Sequence, residues 1–363
     1  MSHVKLENIS KRFGSLQALK NVSLEVHDQE FLVLLGPTGA GKTTTLRCAA
    51  GLEKPNLGTV YMDGEDVTDV SPSERDVTFV FQNYALYPRK TVYQNIAFPL
   101  EARRYTQEEM DQAVDQVTEL LHINHLQDRF PAQLSGGEQQ RVALARSLVR
   151  QPRVYLMDEP LTNLDFKLRT EMRSEMKRIQ QDLEATFFYV TNDQIEGLSM
   201  GDRIAVLEEG ELQQVGPPQE VYEKPVNMFV ASFIGSTRMN FLHCAYSQEE
   251  KTLVGKSGDW RVPIANGQAD AILAHGNLDR LIFGVRPEDI TIDANGQWKG
   301  EVYNAEPLGD RIIYEIKVGK EDIKIKTSPT TRIDTGENVG LNINIGRTHL
   351  FDQDSREAIR AES

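Results

Sequence analysis

The chain has 363 residues, with 54 acidic and 40 basic side chains and a formal net charge of −14 at pH 7. This length exceeds what one hydrophobic core usually supports, so we expect two or more domains. The negative charge argues against a surface that binds nucleic acid or anionic lipid, because both need a basic patch.

The sequence predicts neither a membrane span nor a signal peptide. It contains no run of about eighteen apolar residues, and residues 1–5 lead directly into a strand pattern. The two cysteines, Cys48 and Cys244, lie far apart without the spacing of a metal site. This pattern is typical of unpaired thiols in a reducing cytosol.

A glycine-rich loop follows the first strongly apolar segment. Residues 31–35 are continuously apolar, as a buried parallel strand is. The next residues match the G-x-x-x-x-G-K-[ST] pattern of a phosphate loop: Gly36, Pro37, Thr38, Gly39, Ala40, Gly41, Lys42 and Thr43, with a helix predicted from Thr44 to the stop signal Gly51. Backbone N–H groups would surround the phosphates, Lys42 would reach the β- and γ-oxygens, and the Thr43 hydroxyl would bind Mg²⁺.

The part from about residue 88 to residue 150 is predicted to be mostly helical. Within it, Ser135, Gly136 and Gly137 open a helix. A small hydroxyl, two bare backbone N–H groups and the positive end of a helix make a second site for an anion. One chain cannot easily fold this site onto its own phosphate loop. We therefore expect two chains to enclose the nucleotide.

A second buried strand, residues 154–157, ends in Asp158 and Glu159. Such a strand delivers its carboxylates to the carboxyl edge of the sheet, where ligands collect in open α/β folds. Asp158 is then the expected partner of the metal. Glu159 is the candidate that orients or deprotonates the attacking water.

Beyond residue 239 the pattern changes to short strands separated by turn signals such as Asn266-Gly267 and Asn295-Gly296. This pattern predicts an all-β region. We place the domain boundary between residues 235 and 236, giving domains 1–235 and 236–363, with the helical subdomain at about 88–150.

Together these motifs, in this order, resemble the ATP-binding subunit of an ABC transporter, and more narrowly that of the sugar-uptake importers of the maltose type. The resemblance implies a P-loop α/β ATPase domain with a helical subdomain, followed by a small all-β domain similar to an OB barrel. In relatives this second domain helps two chains dimerise and can receive regulatory signals. We consider a structural dimer brace the better interpretation of it.

The same resemblance assigns further residues. Phe13 stands where the family places an aromatic that stacks on adenine, and Gln82 at the glutamine that contacts metal and water and moves with the permease. Asp165 lies in a loop that crosses the dimer interface. Ser135, Gly136 and Gly137 would bind the γ-phosphate held by the partner chain. The surface from 83 to 89 resembles the pocket for a permease helix, and core packing is an equal alternative there.

By this resemblance, two such subunits, identical or paired with a homologue, bind ATP and Mg²⁺ on the cytoplasmic face of two transmembrane permease subunits. ATP closes the dimer, and closure opens the permease toward an extracytoplasmic solute-binding protein. Hydrolysis aided by Glu159 then reopens the dimer. The solute, a sugar, polyol or glycerol phosphate ester, does not touch this chain, so the sequence does not identify it.

Two residues depart from the family pattern. Glu138 replaces a glutamine, and we expect its side chain to point away from the phosphate. Asn192 replaces a histidine that keeps water, phosphate and catalytic carboxylate in register. An asparagine amide donates one hydrogen bond there but carries no positive charge. Losing such a contact commonly costs on the order of 3 kcal/mol, so we predict slow turnover.

Three interpretations of Asn192 remain open: a weakened half-site beside a competent homologous ATPase, an engineered change, or a tolerated substitute. We favour the first or third because Lys42, Asp158, Glu159 and the helix-opening segment from Ser135 to Gly137 are present. Two further classes stay as alternatives. A non-transport ABC ATPase would usually show two fused cassettes or a coiled-coil insert, and a regulatory subunit would hardly hydrolyse ATP.

Overall fold

The computed structural model describes residues 3–81, 85–150, 152–162, 164–264 and 267–360. The chain divides into two compact units, residues 1–218 and 219–363. The predicted boundary at 235/236 stays a prediction. Among the described residues, no helix has both the length and the apolar character needed to cross a membrane. Cys48 and Cys244 are buried free thiols.

The first unit combines two sheets with helices. Its strands are β1 Val4–Phe13, β2 Leu16–Val26, β3 Phe31–Leu35, β4 Leu57–Met62, β5 Glu65–Asp66, β6 Val77–Val80, β7 Val154–Asp158, β8 Thr186–Thr191, β9 Arg203–Glu208 and β10 Glu211–Gly216. Its helices are α1 Lys42–Ala50, α2 Val92–Glu101, α3 Gln107–Leu120, α4 Gly136–Leu148, α5 Phe166–Asp182 and α6 Gln194–Met200, with 3-10 turns at Asn124–Leu126 and Pro131–Gln133.

The larger sheet of this unit has the strand order β10-β9-β3-β8-β7-β6. Neighbours from β9 to β6 run parallel, and β10 pairs with β9 antiparallel. All five residues of β3 and of β7 are buried, which explains their continuously apolar sequences. The other sheet, with strand order β2-β1-β4-β5, is antiparallel. Its apolar residues share one core cluster with those of the larger sheet.

Helices α2, α3 and α4 lie in the part that the sequence predicts to be helical. Thr91 and Thr106 cap α2 and α3 with reciprocal hydrogen bonds to the third residue of each helix. The side chain of buried Asn95 donates to the carbonyls of Tyr87, Lys90 and Thr91 at 2.9–3.1 Å and accepts from the Tyr87 N–H at 2.7 Å. These bonds hold the segment before α2, in which Tyr87 is 40% exposed.

The second unit is built mainly of antiparallel strands. Its elements are α7 Pro218–Glu223, α8 Met228–Phe233, β11 Asn240–Ser247, β12 Thr252–Gly255, β13 Arg261–Pro263, α9 Gln268–His275, β14 Leu281–Val285, β15 Ile290–Ile292, β16 Trp298–Pro307, β17 Ile312–Val318, β18 Glu321–Thr327, β19 Asn338–Ile343 and β20 His349–Asp352, with 3-10 turns at Pro287–Asp289 and Ile345–Arg347. They form sheets of order β13-β12-β11-β14-β20 and β15-β19-β16-β17-β18.

Both sheets of the second unit contribute to one apolar core. The predicted strands are present, and α9 lies among them. The buried side chain of Arg286 packs over the Tyr222 ring, 3.7 Å from its centroid, and donates to the carbonyls of Tyr222 and Ile234 at 2.7 Å. Burial lowers the pKa of this arginine. Arg286 therefore connects β14 to the helical segments at the start of this unit.

Candidate active site

Three adjacent parallel strands bring the site together. Leu35 at the end of β3 pairs with Thr191 at the end of β8, and Val190 of β8 pairs with Asp158 at the end of β7. The segments that follow these strands therefore emerge side by side at the carboxyl edge of the sheet. They are the phosphate loop, the turn at Asn192, and Glu159.

A cavity of about 810 Å³ opens at this edge. It is lined by Phe13, Leu16, Gln17, Ala18, Lys20, Thr38, Gly39, Gly41, Lys42, Thr43, Thr44, Glu159, Thr162, Asn192 and Glu209. Phe13 is 43% exposed at the end of β1, and the Lys11 ammonium lies over its ring, 4.9 Å from the centroid, which leaves at most one face for a flat aromatic group. The cavity thus gathers Phe13 and the second half of the phosphate loop, which is half of the residues that the sequence assigned to a nucleotide.

The phosphate loop is closed by its own hydrogen bonds. The Ala40 N–H donates to the Pro37 carbonyl at 3.1 Å, and the Lys42 ammonium donates to the carbonyls of Gly36 and Pro37 at 2.9 and 3.0 Å. Lys42 is 4% exposed, and its burial lowers the pKa of the ammonium, an effect that nearby Glu159 opposes. The loop therefore holds a desolvated cation, which attracts a phosphate strongly.

Thr43 and Asp158 meet although 115 residues separate them. The Thr43 hydroxyl donates to Asp158 Oδ1 at 2.9 Å. Burial of the Asp158 carboxyl raises its pKa, and the hydrogen bond from Thr43 opposes that rise. Hydroxyl and carboxylate oxygens are the hard ligands that Mg²⁺ prefers, so this donor set fits that ion. Gln82, the other predicted metal contact, lies outside the described residues.

Glu159 adopts an unusual backbone conformation. Its φ of 46° lies in the left-handed region, where a residue other than glycine is strained by roughly 1–3 kcal/mol. Its N–H donates to the Val190 carbonyl at 2.9 Å. One carboxylate oxygen lies 3.6 Å from the Lys42 ammonium, and the other accepts from the Thr162 hydroxyl at 3.3 Å. The strained turn thus directs the carboxylate into the cavity.

Asn192 is exposed and lines the same cavity. The turn that carries it is fixed at Asp193, whose N–H donates to Thr191 Oγ1 at 3.0 Å and whose carboxylate accepts from the Ile195 N–H at 2.8 Å. The same carboxylate lies 3.5 Å from the Arg169 guanidinium. Asn192 therefore shares the cavity with the phosphate loop and Glu159.

At the start of α4, the structure corrects one expectation. The Glu138 carboxylate does not point away from Ser135; it accepts from the Ser135 N–H at 2.7 Å and from the Ser135 hydroxyl at 2.8 Å. These hydrogen bonds lower the pKa of Glu138. The Glu138 carboxylate thus occupies the Ser135 N–H and hydroxyl, the donors that the sequence assigned to a phosphate.

The described residues that line the cavity do not include Ser135, Gly136, Gly137 or Asp165. Asp165 instead caps α5 by accepting from the Leu168 N–H at 3.0 Å. The motifs missed the contribution of the hairpin between β1 and β2: Leu16, Gln17, Ala18 and Lys20, together with Glu209. Leu16 is 65% exposed and pairs with Phe13, but both facts come from the structure, so the sequence motifs gave no signal for this wall of the cavity.

Comparison with known proteins gives a consistent result. Residues 19–162 match the family model described as ABC transporter, residues 235–290 match the MalK OB fold domain, and residues 283–351 match the TOBE domain. The trehalose/maltose import ATP-binding protein MalK of Thermococcus litoralis is 44% identical over 99% of this chain and 100% of its own length. The xylose/arabinose import ATP-binding protein XacJ of Haloferax volcanii is 42% identical over 99% and 96%.

An uncharacterized ABC transporter ATP-binding protein of Bacillus subtilis, YurJ, is also 44% identical over 99% of this chain and 100% of its own length. Among solved structures, a dimeric ATP-binding cassette in a post-hydrolysis state bound to ADP and Pi is similar, with a TM-score of 0.54 and 33% identity. The matched region covers 59% of this chain and 98% of the solved cassette. The chain therefore belongs to the ATP-binding subunits of ABC transporters, with a P-loop ATPase fold followed by MalK-type OB-fold and TOBE domains.

Proposed function

We propose that this chain is the ATP-hydrolysing subunit of an importer for a carbohydrate-like solute: a sugar, a polyol or a glycerol phosphate ester. Relatives named for trehalose/maltose and xylose/arabinose import match it over nearly their whole length. The observation that carries the proposal is the shared cavity, in which the phosphate loop faces Glu159 and Asn192.

In this proposal, ATP lies in the cavity with its adenine on the Phe13 ring and its phosphates on the N–H groups of residues 36–44. Lys42 already donates to two loop carbonyls and lies 3.6 Å from Glu159. A triphosphate would therefore exchange weak partners of this ammonium for stronger ones. The same exchange would release Glu159 from its nearest cation.

Thr43 and Asp158 would hold Mg²⁺ together with Gln82. When bound, the ion neutralises charge on the phosphate oxygens. Glu159 would orient the attacking water or accept its proton. Its strained backbone, its hydrogen bond from Thr162 and its distance from Lys42 support that role, since they fix the carboxylate beside the phosphate loop.

In this proposal Asn192, which lines the same cavity, would contact the γ-phosphate and the water. Its amide donates a hydrogen bond but neither carries charge nor shuttles a proton. We expect slow turnover for this reason. The alternative is a weakened subunit that binds ATP and depends on a competent homologous ATPase for hydrolysis.

The second anion site, Ser135 to Gly137, would serve the partner chain of a dimer, identical or homologous, with Asp165 at their interface. Two permease subunits would receive the motion through the Gln82 region, and an extracytoplasmic solute-binding protein would act indirectly. Tyr87 supports a docking surface, since it is 40% exposed on a segment held rigid by Asn95. The subunit would then be peripheral, on the cytoplasmic face of the inner membrane.

The test is steady-state Mg-ATPase activity of the chain and of its Asn192→His variant, alone and with its permease subunits. Glu159→Gln, which preserves size and removes the carboxylate, is the matched blank. Turnover of the native chain well above the blank supports a complete motor. If only the Asn192→His variant turns over ATP above the blank, the weakened-subunit alternative is supported. If neither the native chain nor the variant exceeds the blank, the proposed ATPase is contradicted.

A further inference from the structure

Three potential metal ligands lie together in the first unit, away from the candidate active site. His3 directly precedes β1, Glu25 belongs to β2, and His27 directly follows β2. Val4 pairs with Val26 in these strands, and both valines are buried. Because side chains alternate along a strand, the residues flanking these valines lie on the opposite, solvent-facing side.

The donor atoms of the three side chains are close to one another. One ligand atom from each of His3, Glu25 and His27 lies within 4.8 Å of the others. His3 Nε2 is 2.7 Å from Glu25 Oε1. The two imidazole rings are nearly parallel, at 7°, with centroids 6.0 Å apart. The three donor atoms thus lie near one another, but parallel rings do not direct their nitrogens at one point, so at least one ring must turn for a single ion to bind.

The backbone that carries the two histidines is fixed by hydrogen bonds. The His3 N–H donates to Asp63 Oδ1, and the His3 carbonyl accepts from the Asp63 N–H, both at 2.9 Å. The His27 N–H donates to Glu30 Oε2 at 2.7 Å, and its carbonyl accepts from the Glu30 N–H at 3.2 Å. Only side-chain torsions would have to change for an ion to bind.

We propose that His3, Glu25 and His27 bind a divalent transition-metal ion, Zn²⁺ being the ion that this donor set fits best. Two imidazole nitrogens and one carboxylate oxygen make a three-ligand zinc site with a fourth position for water. Mg²⁺ and Ca²⁺ are poorer matches, because they prefer oxygen ligands throughout.

The required rearrangement is a rotation of solvent-accessible side chains, including at least one imidazole ring. Donor atoms around tetrahedral zinc lie roughly 3.4 Å apart, given bonds of about 2.1 Å. The side chains of His3 and Glu25 are 30% and 46% exposed, so they can rotate inward by this amount. Lys5, which pairs with Glu25 in the ladder, is a nearby cation. Its ammonium lies 2.7 Å from Glu7, which offsets its repulsion of a metal ion.

A bound ion would connect the start of β1 to the end of β2. It would stabilise the first unit by mass action, since the unfolded chain does not hold the three ligands together. None of the three side chains lines the candidate active-site cavity. The expected effect is therefore on stability and not on nucleotide contacts.

Calorimetric titration of the chelator-treated, nucleotide-free full-length chain with zinc chloride tests the proposal. We expect one equivalent to bind with a Kd on the order of micromolar. His3→Ala, His27→Ala and Glu25→Gln should each weaken that binding by about tenfold or more. His243→Ala, which removes an exposed strand histidine of the second unit, should leave it unchanged.

A thermal melt gives an independent readout. Zinc should raise the Tm of the native chain and of His243→Ala but not that of Glu25→Gln, whose substitution preserves side-chain size and so protects the fold. A cobalt(II) absorption spectrum of tetrahedral type that disappears in Glu25→Gln is expected as well. Absence of zinc binding, or binding that survives all three substitutions, would overturn the proposal.

Discussion

The two segments that the sequence assigned to phosphate differ in how complete they are. In the phosphate loop, Lys42 is 4% exposed and its neighbours line one concave cavity. At the start of α4, Ser135 is exposed, and its N–H and hydroxyl already donate to Glu138. Both segments precede a helix, yet only the first is enclosed by its own chain.

This difference shows that a helix N-terminus becomes a full anion site only when other elements surround it. The phosphate loop is enclosed because β8 and β7 bring Asn192 and Glu159 beside it. The α4 segment satisfies its donors with a carboxylate from its own first turn. This supports the proposal that the α4 segment is half of a site and that a partner chain's phosphate replaces Glu138 there.

The largest expected effect is a loss of ATP affinity when a glycine of the phosphate loop is replaced by alanine; the same replacement at the start of α4 serves as its control. Gly41 has a φ of 105°, and a Cβ there would lie 2.6 Å from the Ala18 carbonyl oxygen. We expect Gly41→Ala to weaken ATP binding by about two orders of magnitude, because a strained backbone and a clash distort the loop. Titration with a fluorescent ATP analogue measures this.

Gly136→Ala is the matched control. A Cβ at Gly136 meets nothing within 4 Å, and alanine is the better helix former. The isolated Gly136→Ala monomer should bind ATP with the same affinity as the native monomer. If the two substitutions weakened ATP binding equally, our inference that only the phosphate loop is enclosed by its own chain would be wrong.

A smaller effect is expected at the hydroxyl that joins the phosphate loop to β7. Thr43→Val removes the donor to Asp158 and leaves a buried carboxylate without that partner. Hydrogen bonds to charged groups contribute about 1.5–3 kcal/mol, so Mg²⁺-dependent ATP affinity should fall by about ten- to a hundredfold. Titrations with magnesium and with EDTA separate the metal-dependent part.

Thr43→Ser preserves the hydroxyl and should retain affinity close to that of the native chain. If Thr43→Val lowered affinity equally with magnesium and with EDTA, the hydroxyl would act on the loop and not on the metal.

The smallest expected effect concerns Glu138. Its pKa is lowered by the hydrogen bonds from Ser135, so the carboxylate stabilises the fold above the unfolded pKa of about 4.3. This contribution is lost as the pH falls through the lower folded pKa. Glu138→Gln should therefore lower the Tm slightly at pH 7, and the difference from the native chain should close in acid.

The same variant sharpens the comparison of the two segments. Glutamine retains an acceptor for Ser135 without the charge, so ATP-dependent association of two chains should strengthen by a few-fold at low salt. Light scattering measures that association in the Glu159→Gln variant and in the double variant that also carries Glu138→Gln. Unchanged or weaker association would mean that Glu138 does not compete with the phosphate.

Much of the fold and site was predictable from local pattern. The apolar run of β3, the phosphate loop and the end of α1 at Gly51 were predicted from adjacent residues, and Gly51 indeed has a left-handed φ of 75°. The strand ending at Asp158 was predicted in the same way. The roles of individual site residues stay predictions, and Gln82 lies outside the described residues.

Other features were not predictable because they depend on contacts between distant parts of the chain. The left-handed conformation of Glu159 accompanies a hydrogen bond to Val190, and the cavity wall from Leu16 to Lys20 depends on the pairing of β1 with β2. The position of the Glu138 carboxylate was predicted wrongly. Its hydrogen bonds with Ser135 are those of a capping box, a local motif that our prediction did not consider.

The sequence by itself determined the chemistry of this protein: a phosphate loop, a strand ending in carboxylates, a helix-opening serine and the replacement at Asn192. These are short-range patterns, since each depends on a few neighbouring residues and their allowed backbone conformations. Only the tertiary structure decided which patterns meet. The strand order β3-β8-β7 places Gly36, Asn192 and Glu159 at one edge. Parallel pairing of β3 with β8 joins segments that lie far apart in the chain, which local sequence patterns do not encode.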